Sequence, residues 1–485
     1  MMTNNSSLTC PVWAFFDAIT KVPRPSKHEE KIIAYITEFA KKRGLDVKKD
    51  KVGDLLISVP PTPGCESIEA VTLQAHMDMV CEKNADRDID FLTDPIEYYV
   101  EDGWMKARGT TLGADDGLGV ALALAIVDGG LKGQIEHGPL FCLFTVDEET
   151  GLTGAYNVDA DFLPTRRLIN LDSEDEGQIF IGCAGGCTTK ASFLVRKDAT
   201  PADMLGISIS LGGLLGGHSG GDIHLGRANA NKLMARFLRL AGDKFGLRLA
   251  SFDGGNLHNA IPREANVICA VPMKHREELR VEFNCFVADM EEEFKGVEPS
   301  MRFLLETTDT PAEVLSQDLQ DRLVRSLVAC PHGVIEMSHT MAGLVQTSTN
   351  LASVRTSDSS IDIVTSQRSS VEAGKVCAQA MVASTFELAG ACVEESEGYP
   401  SWTPNPDSDL VRAACDSYRR LFRQEAQVLA IHAGLECGLF GGKKSGMDMI
   451  SVGPTLRAVH SPDEAVDIAS VDKFWVFILD LLKRM

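Results

Sequence analysis

The sequence predicts an α/β protein with a mostly parallel β-sheet and a separate α+β domain. Short apolar runs that suit buried strands alternate with helical patterns before residue 180, and the same alternation resumes near the carboxyl terminus. The chain has 485 residues, and single cores stop growing at about 250–300, so two domains are expected. Between these parts, beyond Gly185 and Gly186, the pattern changes to strands and helices that suit an α+β layer.

Apolar spacing and turn residues define the individual elements. The first clear helix is predicted to open near Ser26 and to close at Gly44, because apolar residues recur on one face between them. The other predicted helices are residues 117–127, 228–240, 277–294, 371–388, 410–422 and 471–482. The predicted strands are residues 45–47, 55–59, 71–78, 140–146, 168–171, 207–211, 266–271, 361–367, 428–431 and 449–452.

Composition restricts the possible partners and the compartment. Lys and Arg number 47 against 69 Asp and Glu, a formal charge of −22 that repels phosphates and argues against nucleic-acid or anionic-membrane partners. The thirteen cysteines are scattered, with Cys183 and Cys187 the one close pair, which favours reduced thiols. Neither a signal peptide nor a run of about 20 apolar residues is recognisable. We therefore expect a cytoplasmic protein.

Acidic residues and histidines recur where predicted strands end. They are His76, Asp78, Asp115, Asp116, Glu148, Glu149, Asp172 and His460. A carboxylate at the carboxyl end of a buried parallel strand normally faces a cleft. Two histidines and several carboxylates at one sheet edge are the ligands that a pair of divalent metal ions needs. The pattern therefore predicts a metallohydrolase.

Each local signal also has a structural interpretation. His76 and Asp78 point the same way on a strand, but such a pair is as consistent with a purely structural role. The Asp115–Asp116 pair lies between glycines, and the local sequence alone favours a helix N-cap over a metal ligand there. Glu148 and Glu149 are the sharper signal, because they follow an apolar run and neighbours on a strand point oppositely. One of them can then hold a metal while the other acts as a general base.

A charge count and the order of these residues along the chain suggest that they form one site. Two divalent ions carry +4, which Asp115, Glu149, Asp172 and a bridging hydroxide would neutralise. If His460 joins ligands from the first part of the chain, the middle segment is an insertion into one discontinuous domain. We expect a catalytic domain formed by residues 1–186 and 399–485, and an inserted lid or dimerisation domain formed by residues 187–398.

Two further motifs are candidates for a functional site. His432 and Glu436 are four apart in a predicted helix and would share a face, which we interpret as a pocket wall more than a metal site. The glycine-rich segment 212–221 lacks the Gly-Lys-Ser/Thr ending of a phosphate loop and instead presents His218.

The chain resembles the co-catalytic metallopeptidases that include carboxypeptidase G and carnosinase. The resemblance extends over essentially the whole chain and rests on the motifs QAHMDMV, ARGTTLGADDG, DEETGLTGA, NLDSEDEG, GGHSGGDIH, NAIPREA, HAGLECGLF and GPTLRAVHSPDE. It implies one metal on His76, Asp115 and Asp172, and a second on Asp115, Glu149 and His460. It further implies that Glu148 is the general base, that Asp78 supports the His76 ring, and that the peptide bond after Asp115 is cis. Asp116 departs from the commonest pattern, in which Asn follows the bridging Asp.

The resemblance also implies roles for the lid. His218 becomes a candidate to polarise the scissile carbonyl, and Asn259 and Arg368 become candidates to hold the terminal carboxylate of the substrate, which suits an Arg fork. A homodimer through the lid is implied, with His218 acting across subunits as one arrangement. The large lid leaves a monomer open as the other.

The activity implied is metal-dependent hydrolysis of small peptides. The expected substrates are unblocked dipeptides with a carboxyl-terminal histidine, including β-alanyl-histidine. The expected cofactor is a pair of zinc ions, with manganese or cobalt as alternatives because geometry and availability decide selectivity. A tripeptidase or an N-acyl amino acid deacylase would use the same site, and a binding protein without catalysis is the alternative from another class.

Overall fold

The computed structural model describes residues 8–485 and divides them into two compact units. The first unit contains the described residues up to Cys183, together with Trp402–Ala430 and Leu435–Met485. The second contains Ala184–Ser401 and Ile431–Gly434. The first unit is therefore assembled from segments that are far apart in the chain.

The bounds of the elements, in chain order, are as follows. The strands are β1 (Asp46–Lys49), β2 (Leu55–Val59), β3 (Val71–His76), β4 (Tyr98–Glu101), β5 (Trp104–Ala107), β6 (Leu140–Thr145), β7 (Arg167–Asn170), β8 (Gln178–Cys183), β9 (Gly185–Leu194), β10 (Lys197–Ala199), β11 (Met204–Gly212), β12 (Gly217–His218), β13 (Arg248–Gly254), β14 (Ala260–Ile261), β15 (Ala265–Pro272), β16 (Arg302–Thr307), β17 (Glu313–Leu315), β18 (Gly333–Met337), β19 (Val345–Thr356), β20 (Ser360–Ser369), β21 (Cys392–Glu395), β22 (Gln427–Ile431), β23 (Asp448–Ser451), β24 (Leu456–Arg457) and β25 (Ala465–Asp467). The helices are α1 (Val12–Ile19), α2 (Glu30–Lys42), α3 (Ala114–Leu131), α4 (Glu148–Gly151), α5 (Thr153–Asn157), α6 (Ala230–Phe245), α7 (Arg276–Glu293), α8 (Gln317–Ala329), α9 (Glu372–Leu388), α10 (Asp409–Phe422), α11 (Glu436–Lys443) and α12 (Ile468–Leu482).

The main sheet of the first unit has the order β1-β2-β6-β3-β7-β23-β8-β22. Its centre, β6-β3-β7-β23, is parallel, whereas β1, β2 and β8 pair antiparallel towards the edges. Every residue of β3 is buried, as expected for a central strand covered on both faces. Helix α3 packs against β3 and α1 and is itself buried on almost all sides. The predicted α/β class with a mostly parallel central sheet is confirmed.

The parallel strands end at a common edge, which gathers their following residues. β3 ends at His76, β6 ends at Thr145 shortly before Glu148, and β7 ends at Asn170 shortly before Asp172. Carboxyl ends of parallel strands are where α/β proteins place their ligands. This edge therefore carries most of the acidic residues and histidines singled out above.

The second unit is built on an antiparallel sheet of order β16-β11-β15-β13-β19-β20-β9-β21, with β18 paired to β19. Its core combines the inner face of this sheet with helices α6, α7, α8 and α9. Phe237 of α6 stacks edge-on against Phe283 and is tilted against Phe286, both from α7. This unit is of the α+β type that the sequence predicts for the middle of the chain.

The predicted elements lie close to the observed ones, with instructive exceptions. Helix α2 begins at Glu30, and Ser26 precedes it and donates its hydroxyl to Asp78 instead. The predicted helix containing both His432 and Glu436 is wrong, because α11 begins only at Glu436. The pair therefore does not share a helix face.

Residues 8–485 contain neither a helix suited to crossing a membrane nor a disulfide. Among residues 8–485, no helix combines the length and the apolar character that crossing a membrane would require. The thirteen cysteines are all free thiols, and Cys183 and Cys187 are both buried without a disulfide.

Candidate metal centre

His76 marks one side of the candidate centre. Its Nε2 atom lies 3.1 Å from Oδ1 of Asp115 and 3.4 Å from Oδ1 of Asp172. The ring is buried, and its Nδ1 atom lies 3.3 Å from Oδ1 of Asp78 on the opposite side. His76 thus directs Nε2 toward two carboxylates, while the carboxylate of Asp78 lies beside Nδ1 on the far side of the ring.

His460 marks the other side. Its Nε2 atom lies 3.0 Å from Oδ2 of Asp115 and 2.9 Å from Oε2 of Glu149. The two oxygens of Asp115 therefore face different histidines. One carboxylate shared in this way is the arrangement that a bridging ligand between two cations requires.

Of the two interpretations of this motif, the N-cap fits Asp116 and the metal ligand fits Asp115. Asp116 Oδ1 accepts the backbone N–H of Gly119, three residues ahead, as an N-cap carboxylate does, and Oδ2 accepts the N–H of His76. Asp115 instead projects between the histidines. The peptide bond joining them is cis, as the resemblance implies.

Asp78 holds the acidic pair that follows β6. Its Oδ1 accepts the N–H of Glu148 at 3.1 Å, and its Oδ2 accepts the N–H of Glu149 at 3.3 Å. These two residues open helix α4 and do not continue a strand, because Asp147 adopts a left-handed backbone conformation after β6. The expectation that they lie on a regular strand is therefore wrong. Successive helical residues still point in different directions, about 100° apart.

Two charged residues that the sequence does not single out surround the backbone of Asp115. The carboxylate of Glu464 accepts the N–H groups of residues 112–115. Arg24 donates to the carbonyl oxygens of Met77, Asp78 and Gly113 from its guanidinium group. Both side chains are buried. Glu464 ends the motif GPTLRAVHSPDE, but no local pattern indicates the role of either residue, because their partners are backbone groups far away in the chain.

The pKa values at the centre depend on two effects, burial of the charged groups and their contacts with one another. Burial favours the protonated form of Asp115, but contacts with His460 and His76 outweigh it and hold its pKa well below the usual range. Contacts with Asp115 and Glu149 raise the pKa of His460 to about 11. Burial raises the pKa of Glu148, and the negative charges of Asp172 and Glu436 add to this effect. The carboxylates of this cluster outnumber its two histidines.

The donor set fits divalent metal ions. A tetrahedral ion with ligands at about 2.0–2.2 Å places its ligand atoms about 3.3–3.6 Å apart, near the separations found here. Glu149 Oε1 is buried and has no hydrogen-bond partner among the described residues, which leaves a polar atom for a cation to satisfy. His76, Asp115 and Glu149 also form a group whose ligand atoms all lie within 4.8 Å of one another.

A second acidic group nearby does not have this character. Glu29, Asp78 and Asp147 bring carboxylate oxygens within 4.8 Å of one another, but protein donors already occupy them. Asp147 accepts the hydroxyls of Thr150 and Thr153, and Glu29 accepts the N–H of Asp147 at 3.0 Å. We interpret this group as the support of the α4 turn.

Glu436 begins α11 and lies buried in the first unit. Its Oε2 accepts from Gln74 at 2.6 Å and from Thr145 at 3.1 Å, and burial raises its pKa to about 7. Gln74 continues the network by accepting from Asn170 at 2.6 Å. The network lies on β3, β6 and β7 next to the strand ends, and His432 takes no part in it.

The predicted lid residues lie in the second unit. His218 Nε2 lies 3.5 Å from Nη2 of Arg368, and Arg368 Nη1 donates to the Tyr399 hydroxyl at 2.8 Å. The carbonyl oxygen of Asn259 accepts the N–H of Ser219, next to His218. His432 belongs to the same unit, where its Nε2 lies 2.7 Å from Oγ of Ser348. The unit thus groups polar side chains around Arg368.

Comparison with known proteins identifies the family. Residues 72–484 match peptidase family M20/M25/M40. The cytosol non-specific dipeptidase of Escherichia coli strain K12 is 42% identical over 475 residues, covering 98% of this chain and 97% of that protein. The crystal structure of aminoacylhistidine dipeptidase from Vibrio alginolyticus is 42% identical with a TM-score of 0.92, covering 99% of this chain and 98% of that one.

A more distant structure shares the fold alone. Aminopeptidase PepT from Bacillus cereus has a TM-score of 0.57 at 15% identity, covering 98% of this chain and 97% of that one. The chain belongs to peptidase family M20/M25/M40. The predicted resemblance, fold class and assignment as a hydrolase are confirmed.

Proposed function

We propose that this protein is a metal-dependent dipeptidase that cleaves unblocked dipeptides and prefers a carboxyl-terminal histidine. The observation that carries the proposal is the carboxylate of Asp115, whose two oxygens face His76 and His460. The names of two relatives, a cytosol non-specific dipeptidase and an aminoacylhistidine dipeptidase, support the substrate class.

His76, Asp115 and Asp172 would hold one divalent ion, and Asp115, Glu149 and His460 would hold the other. When bound, such ions would lower the pKa of a water molecule from about 15.7 toward about 7 and would polarise the scissile carbonyl. Imidazole and carboxylate ligands suit zinc, which we propose as the metal, and do not exclude manganese or cobalt. Asp78 keeps the His76 ring oriented from behind.

Glu148 is the proposed general base. Its backbone is fixed by Asp78, and it follows the same strand end that supplies Glu149. Glu148 accepts the proton of the attacking water at its carboxylate and passes that proton to the nitrogen of the leaving amine. The adjacent residues thereby separate two tasks, metal binding by Glu149 and proton transfer by Glu148.

The second unit is the proposed lid, and it supplies the residues that bind the substrate. Arg368 and Asn259 bind the terminal carboxylate, since a guanidinium group matches a carboxylate with two parallel hydrogen bonds. His218 polarises the scissile carbonyl. The hydrogen bond from Arg368 to Tyr399 supports the proposed role of Arg368 in binding the carboxylate, because it restricts rotation of the guanidinium group.

Matched substrates test the proposal. β-Alanyl-histidine and N-propanoyl-histidine differ only in the amino group, and β-alanyl-histidine amide lacks the terminal carboxylate. We expect fast hydrolysis of β-alanyl-histidine, slower hydrolysis of a dipeptide without histidine, and little of the other two or of a tripeptide. Equal kcat/KM on N-propanoyl-histidine would establish a deacylase, and preference for the tripeptide would establish a tripeptidase. Binding without hydrolysis of any of them would indicate a protein that is not catalytic.

Variants of Arg368 refine that experiment. Arg368→Met should lower kcat/KM for β-alanyl-histidine, because one fork of donors for the carboxylate is lost. The same substitution should have little effect on β-alanyl-histidine amide, which offers no carboxylate. An equal loss on both substrates would contradict the proposed role of Arg368.

A cytoplasmic homodimer through the second unit is part of the proposal. Strand β18 is paired to β19 and exposes the large apolar side chains Val334, Ile335 and Met337, an arrangement suited to a further strand. Analytical ultracentrifugation should give a dimer for the wild type and a monomer for Ile335→Lys. A monomeric wild type would contradict this part of the proposal.

A further inference from the structure

We infer that Glu464 is a positioning residue that holds the backbone of Asp115 so that its carboxylate stands between His76 and His460. The inference rests on the proposed function, because it takes Asp115 as the ligand common to both ions. Glu464 itself touches neither substrate nor the reacting atoms in that scheme. It would act through Asp115.

The carboxylate of Glu464 accepts the backbone N–H groups of residues 112–115, and we call these four contacts the bracket. Its Oε2 accepts the N–H groups of Leu112 at 2.7 Å and Gly113 at 3.0 Å. Its Oε1 accepts those of Ala114 at 2.8 Å and Asp115 at 3.4 Å. A carboxylate offers about four lone-pair sites, so these four donors use its full capacity. The side chain is 2% exposed, and a buried charge is retained only where such donors compensate it.

Arg24 holds the same peptide segment from the carbonyl side. Its Nη2 donates to the carbonyl oxygen of Gly113, and its Nη1 donates to those of Met77 at 3.0 Å and Asp78 at 2.6 Å. The loop before Asp115 is thereby joined to the chain that follows His76. Gly113 has a φ of 69°, and a Cβ there would meet Arg24 Nη2 at 2.6 Å, so the close approach needs glycine.

The bracket also connects the two ends of the centre. Glu464 follows His460 by four residues, and its own N–H bonds the carbonyl oxygen of Ser461 at 3.1 Å. The segment that carries His460 is therefore tied by hydrogen bonds to the loop that carries Asp115. Their separation is set by the protein itself, which pre-organises the ligands before an ion binds.

Two substitutions of Glu464 distinguish the effect of its position from the effect of its charge. Glu464→Gln keeps the length of the side chain but turns an N–H group toward backbone N–H donors. Glu464→Asp keeps the charge but is one methylene too short to reach all four donors. If Glu464 acts by position, both variants should bind zinc about 10–100-fold more weakly, the range for residues that orient metal ligands.

The measurement is the zinc affinity of the full-length protein by chelator competition, with folding checked by circular dichroism. Asp463→Asn removes the same charge one residue away on an exposed side chain and should leave the affinity unchanged. Glu298→Gln is a matched control in the second unit, because buried Glu298 also accepts two backbone N–H groups, from Leu215 and Ala228. It should lower stability and leave zinc affinity unchanged.

Three results would overturn the inference. The first is wild-type zinc affinity in folded Glu464→Gln. The second is a loss in Glu464→Gln that Glu464→Asp does not share, since charge and not position would then explain it. The third is an equal loss in Glu298→Gln. In each case a wild type that binds two ions would leave the proposed function intact, whereas a wild type that binds none would overturn both.

Hydrogen exchange on the metal-free wild type provides a test that needs no variant. The N–H groups of residues 112–115 should be protected without metal, because Glu464 accepts all of them. Rapid exchange of these four amides in an otherwise protected first unit would overturn the inference even if both variants fail to fold.

Discussion

His460 lies 3.0 Å from Asp115, although 345 positions separate the two residues in the chain. His460 Nε2 also lies 2.9 Å from Glu149, so the carboxyl-terminal segment completes one side of the centre. The side formed by His76 and Asp172 does not need this segment. The two sides should therefore respond separately to substitution.

His460→Ala should reduce the metal content from two ions per chain to about one. Asp115 and Glu149 would remain on that side without the imidazole that we propose as the third protein ligand. Elemental analysis after dialysis measures the change, and His28→Ala, on an exposed histidine of the same unit, should retain both ions. Two tightly held ions in His460→Ala would contradict the assignment of His460.

Glu148→Gln and Glu149→Gln should fail in different ways. Glu148→Gln should keep both ions and lose about 10²–10⁴-fold in kcat, because an amide cannot accept the proton of the attacking water. Glu149→Gln should lose metal, because it removes the charge of a proposed ligand. Each variant is the isosteric control for its neighbour, and kcat is measured together with metal content. A normal kcat in Glu148→Gln would remove it as the base.

Asp54 should make the stability of the first unit fall as pH rises. Burial raises the pKa of its carboxyl to about 8, and the nearby charge of Asp50 adds to this effect. The unfolded carboxyl has a pKa of about 3.9, so between pH 4 and 8 the folded chain holds a proton that the unfolded chain has lost. The free energy of unfolding therefore declines across this window, by on the order of 1 kcal/mol per pH unit, and is constant above it.

Asp54→Asn should remove that decline. The amide oxygen can still accept the N–H of Val146, and its N–H₂ group can donate to Asp50. Urea unfolding of the metal-free protein at pH 5 to 8, followed by tryptophan fluorescence, reports the first unit because Trp13, Trp104, Trp402 and Trp475 all lie there. Asp46→Asn, on an exposed carboxylate of β1, controls for general charge effects. Parallel pH curves for Asp54→Asn and the wild type would contradict the prediction.

Gly453→Ala should destabilise the first unit by about 1–3 kcal/mol, the usual cost of forcing extra atoms into a packed site. A Cβ at Gly453 would overlap the backbone carbonyl of Ser173, which follows Asp172. Zinc affinity should fall as well, because Asp172 moves with Ser173. In Gly441→Ala the added methyl meets only the flexible end of Met449, at 3.3 Å, so both quantities should stay near wild type. Equal effects of the two substitutions would contradict this account.

The parallel strands were predictable because their apolar runs end in polar residues at one edge. Residues 55–59 are predicted and observed as a strand with identical bounds, and the strand predicted at 140–146 is observed as Leu140–Thr145. Strand β19 was not predictable in this way. Its residues Thr347, Ser348, Thr349 and Asn350 are polar yet buried, and each side chain forms at least one hydrogen bond, such as the one that Gln367 donates to Thr349 at 3.2 Å. An apolar pattern cannot reveal a strand of this kind.

The candidate centre was partly predictable for the same reason. Strand ends indicate which acidic residues share an edge, but they do not distinguish Asp115 from Asp116, which differ only in how the backbone turns between Gly113 and Gly117. The roles of Arg24 and Glu464 could not be predicted because both side chains bind backbone groups. Every residue has such groups, so the sequence does not indicate which ones are bound. The helix predicted across His432 failed because Glu436 alone begins α11.

The late position of His460 has a consequence for biosynthesis. The ribosome must translate 459 residues before this histidine, including Ala184–Ser401 of the second unit, and only then can the side of the candidate centre with His460 form. A nascent chain still held by the ribosome carries His76, Asp115, Glu149 and Asp172 but no partner for Asp115 Oδ2. In the proposed scheme, hydrolysis therefore cannot begin before His460 is translated, and products of earlier termination lack it.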